Sequence, residues 1–107
     1  MTDNGFSARA DGRYEIRGQI TFQTVPQYFS HTPQMLQGDD GPVTIDLAGV
    51  TLADSAGIAL LVEWQQQARA AGRPLQFVNI PEQVCKIIYV SSLQHAFSMI
   101  ERRKARR

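Results

Sequence analysis

Apolar and polar residues alternate over residues 43–47, Val-Thr-Ile-Asp-Leu. That period of two predicts a strand with one buried face. Residues 48–53 break the alternation and read as a short loop. From Ser55 the period changes to that of a helix, with a strong apolar pattern over residues 58–71. Gly72-Arg73-Pro74 then predicts a turn, and Leu75-Gln-Phe-Val78 a second apolar strand. The unit is strand–helix–strand, with Asp54-Ser55-Ala56-Gly57 at the helix start.

The helix resolves into faces at about 100° per residue. Gly57, Leu60, Leu61, Trp64, Ala68 and Ala71 form one stripe, expected against the sheet. Glu63, Gln66, Gln67, Ala70 and Arg73 lie opposite and are expected in solvent. Ser55, Ile58 and Val62 fall on a flank that continues as Gln65 and Arg69. Two readings of that flank stand side by side. Ile58 and Val62 present a docking surface beside Ser55, or they complete a wide core face against a neighbouring helix.

The rest of the chain is read the same way. Tyr14 to Arg17 alternates, Gly18 interrupts, and Ile20-Thr-Phe22 resumes. This predicts two short antiparallel strands, or one bent strand at a sheet edge. Thr24 is placed to cap a helix with Pro26 in its first turn, and Val25, Tyr28 and Phe29 share a face. Pro33 marks a break or a new helical turn, and residues 37–42 are a Gly- and Asp-rich loop. Pro81 and Glu82 open a third helix with Val84, Ile87, Ile88 and Ser91 inward and Cys85 and Tyr89 on an adjacent face. Leu93, Ala96, Phe97 and Ile100 predict a last, short amphipathic helix. Residues 1–12 are polar and read as loosely ordered, residues 13–100 as the domain, and residues 101–107 as a basic tail.

Order and residues together resemble the STAS domains, named for sulphate transporters and anti-sigma-factor antagonists. The mark is an apolar strand followed by Asp-Ser/Thr-x-Gly opening a helix, here Asp54-Ser55-Ala56-Gly57-Ile58-Ala59-Leu60-Leu61. Gly18-Gln-Ile-Thr-Phe22 with Thr24-Val-Pro26 resembles the upstream strand and helix start. Gly72-Arg-Pro-Leu-Gln-Phe-Val-Asn-Ile-Pro81 resembles the last strand and the approach to the third helix. The run 59–64 with Gly72-Arg73-Pro74 is most similar to MlaB-type proteins, subunits of a bacterial phospholipid ABC transporter. The resemblance implies an α/β fold: a single STAS domain, a mixed four- to five-stranded sheet with helices mainly on one face.

It also implies a non-catalytic subunit that binds and stabilises or regulates the transporter ATPase (MlaF-type), with the permease (MlaE-type) in the same complex. Such transporters maintain lipid asymmetry of the outer membrane. The residues expected at the partner are Asp54, Ser55, Gly57, Ile58 and Val62. The alternative the resemblance offers is an anti-sigma-factor antagonist switched by phosphorylation at Ser55. Ala56 departs from that pattern, because the antagonists usually carry a second Ser or Thr there.

Composition narrows the remaining classes. A chain of 107 residues, 43% hydrophobic and 20% charged, fits one globular domain. Its longest apolar run, residues 58–62, is too short to span a bilayer, and no basic-then-apolar leader opens the chain. Cys85 is the sole cysteine, so no internal disulfide forms; the expected location is the cytoplasm, at the inner face of the inner membrane through the partner. Residues 1–100 carry six basic and nine acidic side chains, and residues 101–107 carry five and one. A body with no basic stripe argues against nucleic-acid binding.

Catalytic signatures are missing from the sequence. It contains no phosphate loop and no dinucleotide fingerprint. His31 and His95 have no metal-ligand spacing with Cys85. Asp39-Asp40 reads as a solvated turn. Asp46, at the end of the first strand, is a possible neighbour of the Asp54 loop, but Ser55 has no local base and no nucleophile elbow. The expectation is a protein without cofactor, metal or enzymatic activity.

Overall fold

The computed structural model describes residues 5–9, 12–37 and 41–90. Four strands, β1 (Gly5–Ala8), β2 (Arg13–Ile20), β3 (Val43–Ala53) and β4 (Leu75–Val78), form one sheet in the order β1-β2-β3-β4. β1 runs antiparallel to β2, while β2, β3 and β4 are mutually parallel. Parallel neighbours need crossovers. Helices α1 (Val25–Phe29) and α2 (Thr32–Leu36) lie between β2 and β3, and α3 (Ser55–Ala70) lies between β3 and β4. Helix α4 (Glu82–Val90) follows the last strand. The architecture is the mixed, four-stranded α/β sheet that the sequence implies.

β3 is an 11-residue strand and not a strand followed by a loop. Its register against β2 slips twice. Glu15 and Arg17 pair with Asp46 and Gly49, and Gly18 and Gln19 pair with Val50 and Leu52. Each slip inserts one extra residue on β3, as a β-bulge does. The buried positions therefore fall at Val43, Ile45, Leu47, Val50 and Ala53. The period of two is lost after Leu47, which is why residues 48–53 read as loop.

The other departures have equally local causes. The N-terminal residues 5–8 are not loose: they form the edge strand β1, whose Phe6 stacks on Tyr14 at 5.3 Å and on His31 at 4.3 Å between ring centroids. β2 is one bent strand, but β1 moves it off the edge. Its bend is at Gly18, whose φ of 92° suits a glycine. Phe22 does not continue β2. The hydroxyl of Thr24 accepts from the Thr21 N–H at 2.9 Å and donates to the Gln19 carbonyl at 2.8 Å, turning the chain after Ile20. Thr24 occupies the cap position of α1, yet its side chain makes no cap bond. Pro33 opens the new helix α2.

The core lies between the helices and one face of the sheet. Ile16, Ile20, Ile45 and Leu47 meet Tyr28, Met35, Ile58, Leu61, Trp64 and Ile88, all fully buried. Two polar tips are satisfied inside. Trp64 Nε1 donates to Thr32 Oγ1 at 2.8 Å, which donates to the Phe29 carbonyl at 2.6 Å. The Tyr28 hydroxyl donates to the Arg17 carbonyl at 2.6 Å. Burial pushes the Tyr28 phenol above its ordinary range, against the opposing pull of the Gly5 backbone and the Arg17 charge.

Arg73 is not in solvent. It is 5% exposed and reaches back across the domain. Its Nε donates to the Gly41 carbonyl at 2.9 Å, and its Nη1 to the Met35 and Gln37 carbonyls at 2.8 and 3.4 Å. The helical period that placed it outward stops at Gly72, where φ of 74° reverses the chain. On α4, Val84, Cys85 and Ile88 are buried, Ile87 is partly so, and Tyr89 is exposed. The expected helix over residues 93–100, Ser91, His95, Asp39, Asp40 and the basic tail lie outside the described residues.

Candidate functional site at the start of α3

Asp54 leaves β3 in an extended conformation and caps α3. Its Oδ1 accepts the Gly57 N–H at 3.0 Å, satisfying one of the helix's unpaired donors. Its Oδ2 accepts the Phe22 N–H at 3.0 Å, and its own N–H donates to the Ile20 carbonyl at 3.3 Å. One carboxylate thus joins the end of β2, the turn after it and the start of α3. Burial pushes the Asp54 carboxyl up. The N–H groups of Phe22, Gly57, Ala56 and Asp54 itself outweigh that and hold it below the ordinary value of 3.8.

Ser55 is the first residue of α3 and is exposed. Since Asp54 is the cap, the seryl hydroxyl is not needed for that role. Gly57 is buried for a different reason. A Cβ there would run into the Ile20 carbonyl oxygen, so glycine is what lets α3 ride directly on the end of β2. Ile58 is fully buried and belongs to the core, which decides against its part in a docking surface. Val62 is half-buried and packs on the core's margin. Of the five sequence-expected residues, Ser55 is exposed, Asp54 and Val62 are half-buried, and Gly57 and Ile58 are internal.

Two residues on this surface were not expected from the pattern. Ala59, one turn after Ser55, is exposed and leaves a small apolar step on the helix. Phe22 is 78% exposed, the most open of the large apolar side chains among the described residues. Its backbone is tied to Asp54, so its turn and Ser55 share one support. The signal for Phe22 was the Thr21/Thr24 pair, whose hydroxyl bonding closes a turn and removes the aromatic from the strand period.

The site holds no acid–base machinery among the described residues. Asp46 does not approach it: Asp46 pairs with Glu15 and Ala53 with Ile20, so the two lie five β2 residues apart, about 17 Å at about 3.3 Å per residue. There Asp46 Oδ1 accepts from the Ala48 N–H at 2.9 Å and from Asn79 Nδ2 at 3.1 Å. His31 is engaged by Phe6 and lies 3.4 Å from Gln34 Oε1 through Nδ1. No group of three or more His, Cys, Asp or Glu residues gathers as a metal site among the described residues. The arrangement offers an exposed hydroxyl at a helix N-terminus, flanked by apolar surface.

That combination of mixed sheet, bulged β3 and Asp-Ser at the α3 start defines a small α/β domain of the STAS type. A family model described as "Mlab, STAS domain" matches residues 7–101, and the chain belongs to that family. Among solved structures, the unphosphorylated anti-sigma factor antagonist SpoIIAA is similar over 84% of this chain and 81% of its own, at 16% identity and a TM-score of 0.65. The crystal structure of Mglu matches over 74% of this chain at 23% identity and a TM-score of 0.59; this chain spans 20% of that one. A chain from the complex of the diguanylate cyclase SiaD with its activator SiaC from Pseudomonas aeruginosa matches over 92% of this chain and 87% of its own, at 16% identity and a TM-score of 0.50. These likenesses are of fold. Comparison with curated proteins finds none that matches.

Proposed function

We propose that the protein is a non-catalytic subunit that docks on the ATPase of a phospholipid ABC transporter and stabilises or regulates it. Membership of the MlaB-type family supports the partner class. The observation that carries the docking site is Ser55, exposed on the first turn of α3 beside the exposed Phe22. Asp54, Ala59 and Val62 complete the surface. Helix positions 55, 59 and 62 share a face at i, i+4 and i+7. No helix among the described residues is long and apolar enough to cross a membrane. In this reading the chain reaches the inner face of the inner membrane through the ATPase and its permease, and serves outer-membrane lipid asymmetry.

A second reading is an anti-sigma-factor antagonist switched at Ser55, supported by the fold shared with SpoIIAA. A phosphate there would carry about −1.5 to −2 charges and suit the helix N-terminus. It would oppose a partner fitted to a neutral hydroxyl. Affinity capture from the native cell separates the two. Recovery of an ABC ATPase with an integral permease supports the transporter reading. Recovery of a serine kinase or a sigma regulator instead would replace it with the switch.

A further inference from the structure

Past Asp46, β3 has a strand on one side only among the described residues. β4 ends at Val78, the partner of Asp46, whereas β2 accompanies β3 to Ala53. Asp54 turns its N–H toward β2, to the Ile20 carbonyl. Neighbouring residues of a strand alternate sides, so Ala53 turns its N–H and C=O away from β2, to the side that β4 has left. Gln83 of α4 fills the gap. The Ala53 N–H donates to Gln83 Oε1 at 2.9 Å, and Gln83 Nε2 donates to the Ala53 carbonyl at 3.0 Å. The side-chain amide stands in for the peptide unit of a missing strand. Ala53 is buried, so water does not offer a ready substitute.

We propose that Gln83 is a positioning residue for the Ser55 docking site, an inference that rests on the docking reading above. It fixes the backbone at Ala53, the residue from which Asp54 and Ser55 emerge. It thereby couples α4 to partner affinity: a shift of α4 releases Ala53, and the cap and hydroxyl lose their fixed placement. The packing of α4 itself is supplied by Val84, Cys85 and Ile88. The amide of Gln83 is directed instead at the strand end that carries the site.

The test titrates the full chain against the purified ABC ATPase subunit recovered with it. Gln83→Met removes both hydrogen bonds at similar length. Gln83→Glu is isosteric, keeps an acceptor for the Ala53 N–H and loses the donor. Ile88→Val is the control, lowering melting temperature from the core of the same helix while keeping both Gln83–Ala53 hydrogen bonds. The expected result is binding weakened about tenfold in both Gln83 variants. Amide exchange at Ala53 should rise by a similar factor in Gln83→Met, where the acceptor for that N–H is lost, while Ile88→Val binds as wild type. Wild-type affinity in Gln83→Met with its Ala53 amide exchanging fast would overturn the inference alone. Equal weakening in Ile88→Val, or unfolding of both Gln83 variants, would show a role in stability only and overturn it too. A wild-type chain that binds no ABC ATPase sinks the docking reading and this inference with it.

Discussion

At its N-terminal end α3 begins with an exposed seryl hydroxyl and a carboxylate tied to three segments. At its C-terminal end the chain turns at Gly72, and the guanidinium of Arg73 goes inward. Both ends must satisfy unpaired backbone groups. At the C-terminal end the backbone N–H groups of Ala71, Gly72 and Arg73 do so, bonding the carbonyls of Gln67, Ala68 and Arg69, while the Arg73 side chain holds the carbonyls of Met35, Gln37 and Gly41 and ties α2 to the domain. The N-terminal end gives the structural task to Asp54 and leaves Ser55 in solvent. A polar group facing inward here marks scaffold. One left outside a completed cap marks a surface available to a partner.

The sharpest way to break the scaffold side lies under the site itself. Gly57→Ala should cost about 3 kcal/mol or unfold the chain, because its Cβ meets the Ile20 backbone and no side chain can yield. Urea denaturation measures it; a loss within about 0.5 kcal/mol would mean that α3 does not ride on β2 as described. Arg73→Met keeps length and removes the donors to three carbonyls. It should cost about 2 kcal/mol while leaving partner affinity of the folded protein unchanged. Weakened binding without lost stability would move the functional surface to the wrong end of α3.

Asp54 stands between the two roles. Asp54→Ala should cost about 1 kcal/mol through the lost cap. The depressed carboxyl adds a pH signature. The ionised, bonded form contributes stability that is fully present above the ordinary value of 3.8 and is lost as pH falls through the lower folded value. Thermal melts from neutral pH into acid should therefore show the stability gap between wild type and Asp54→Ala closing below that value. A constant gap would contradict the carboxylate's bonding to Phe22 and Gly57. Phe22→Ala should barely change stability, since the ring is already in water, yet cost more than about 1 kcal/mol of binding. Unchanged affinity would exclude Phe22 from the interface.

The same contrast explains what the sequence made legible. β4 and α3 stand out because nothing interrupts their periods: Leu75 and Phe77 alternate inward, and Leu60, Leu61, Trp64 and Ala68 keep to one face. The start of α3 was legible in Asp54-Ser55-Ala56-Gly57, where the helical period begins. The second half of β3 was hidden because two bulges shift its inward positions from every second residue to every third. β1 was hidden because a four-residue polar edge strand has only Phe6 to signal it. A helical period extended past Gly72 places Arg73 in solvent, but the helix ends at Ala70 and the chain reverses at Gly72. Ile58 shows the limit of faces drawn on an isolated helix. Its flank is apolar for the core, and only packing, which sequence periodicity does not report, decides between that and a partner.

The central claim is that Ser55 faces a partner and not the fold. Ser55→Glu tests it most directly, with affinity for the ABC ATPase and thermal stability measured on the same preparation. A carboxylate at a helix N-terminus is favourable by about 0.3–1 kcal/mol, so the melting temperature should hold or rise slightly. Binding should fall by about tenfold or more, because a charge enters a contact fitted to a neutral hydroxyl. Full affinity in the Glu variant would contradict the account, and loss of folding in the isolated chain would make Ser55 part of the scaffold.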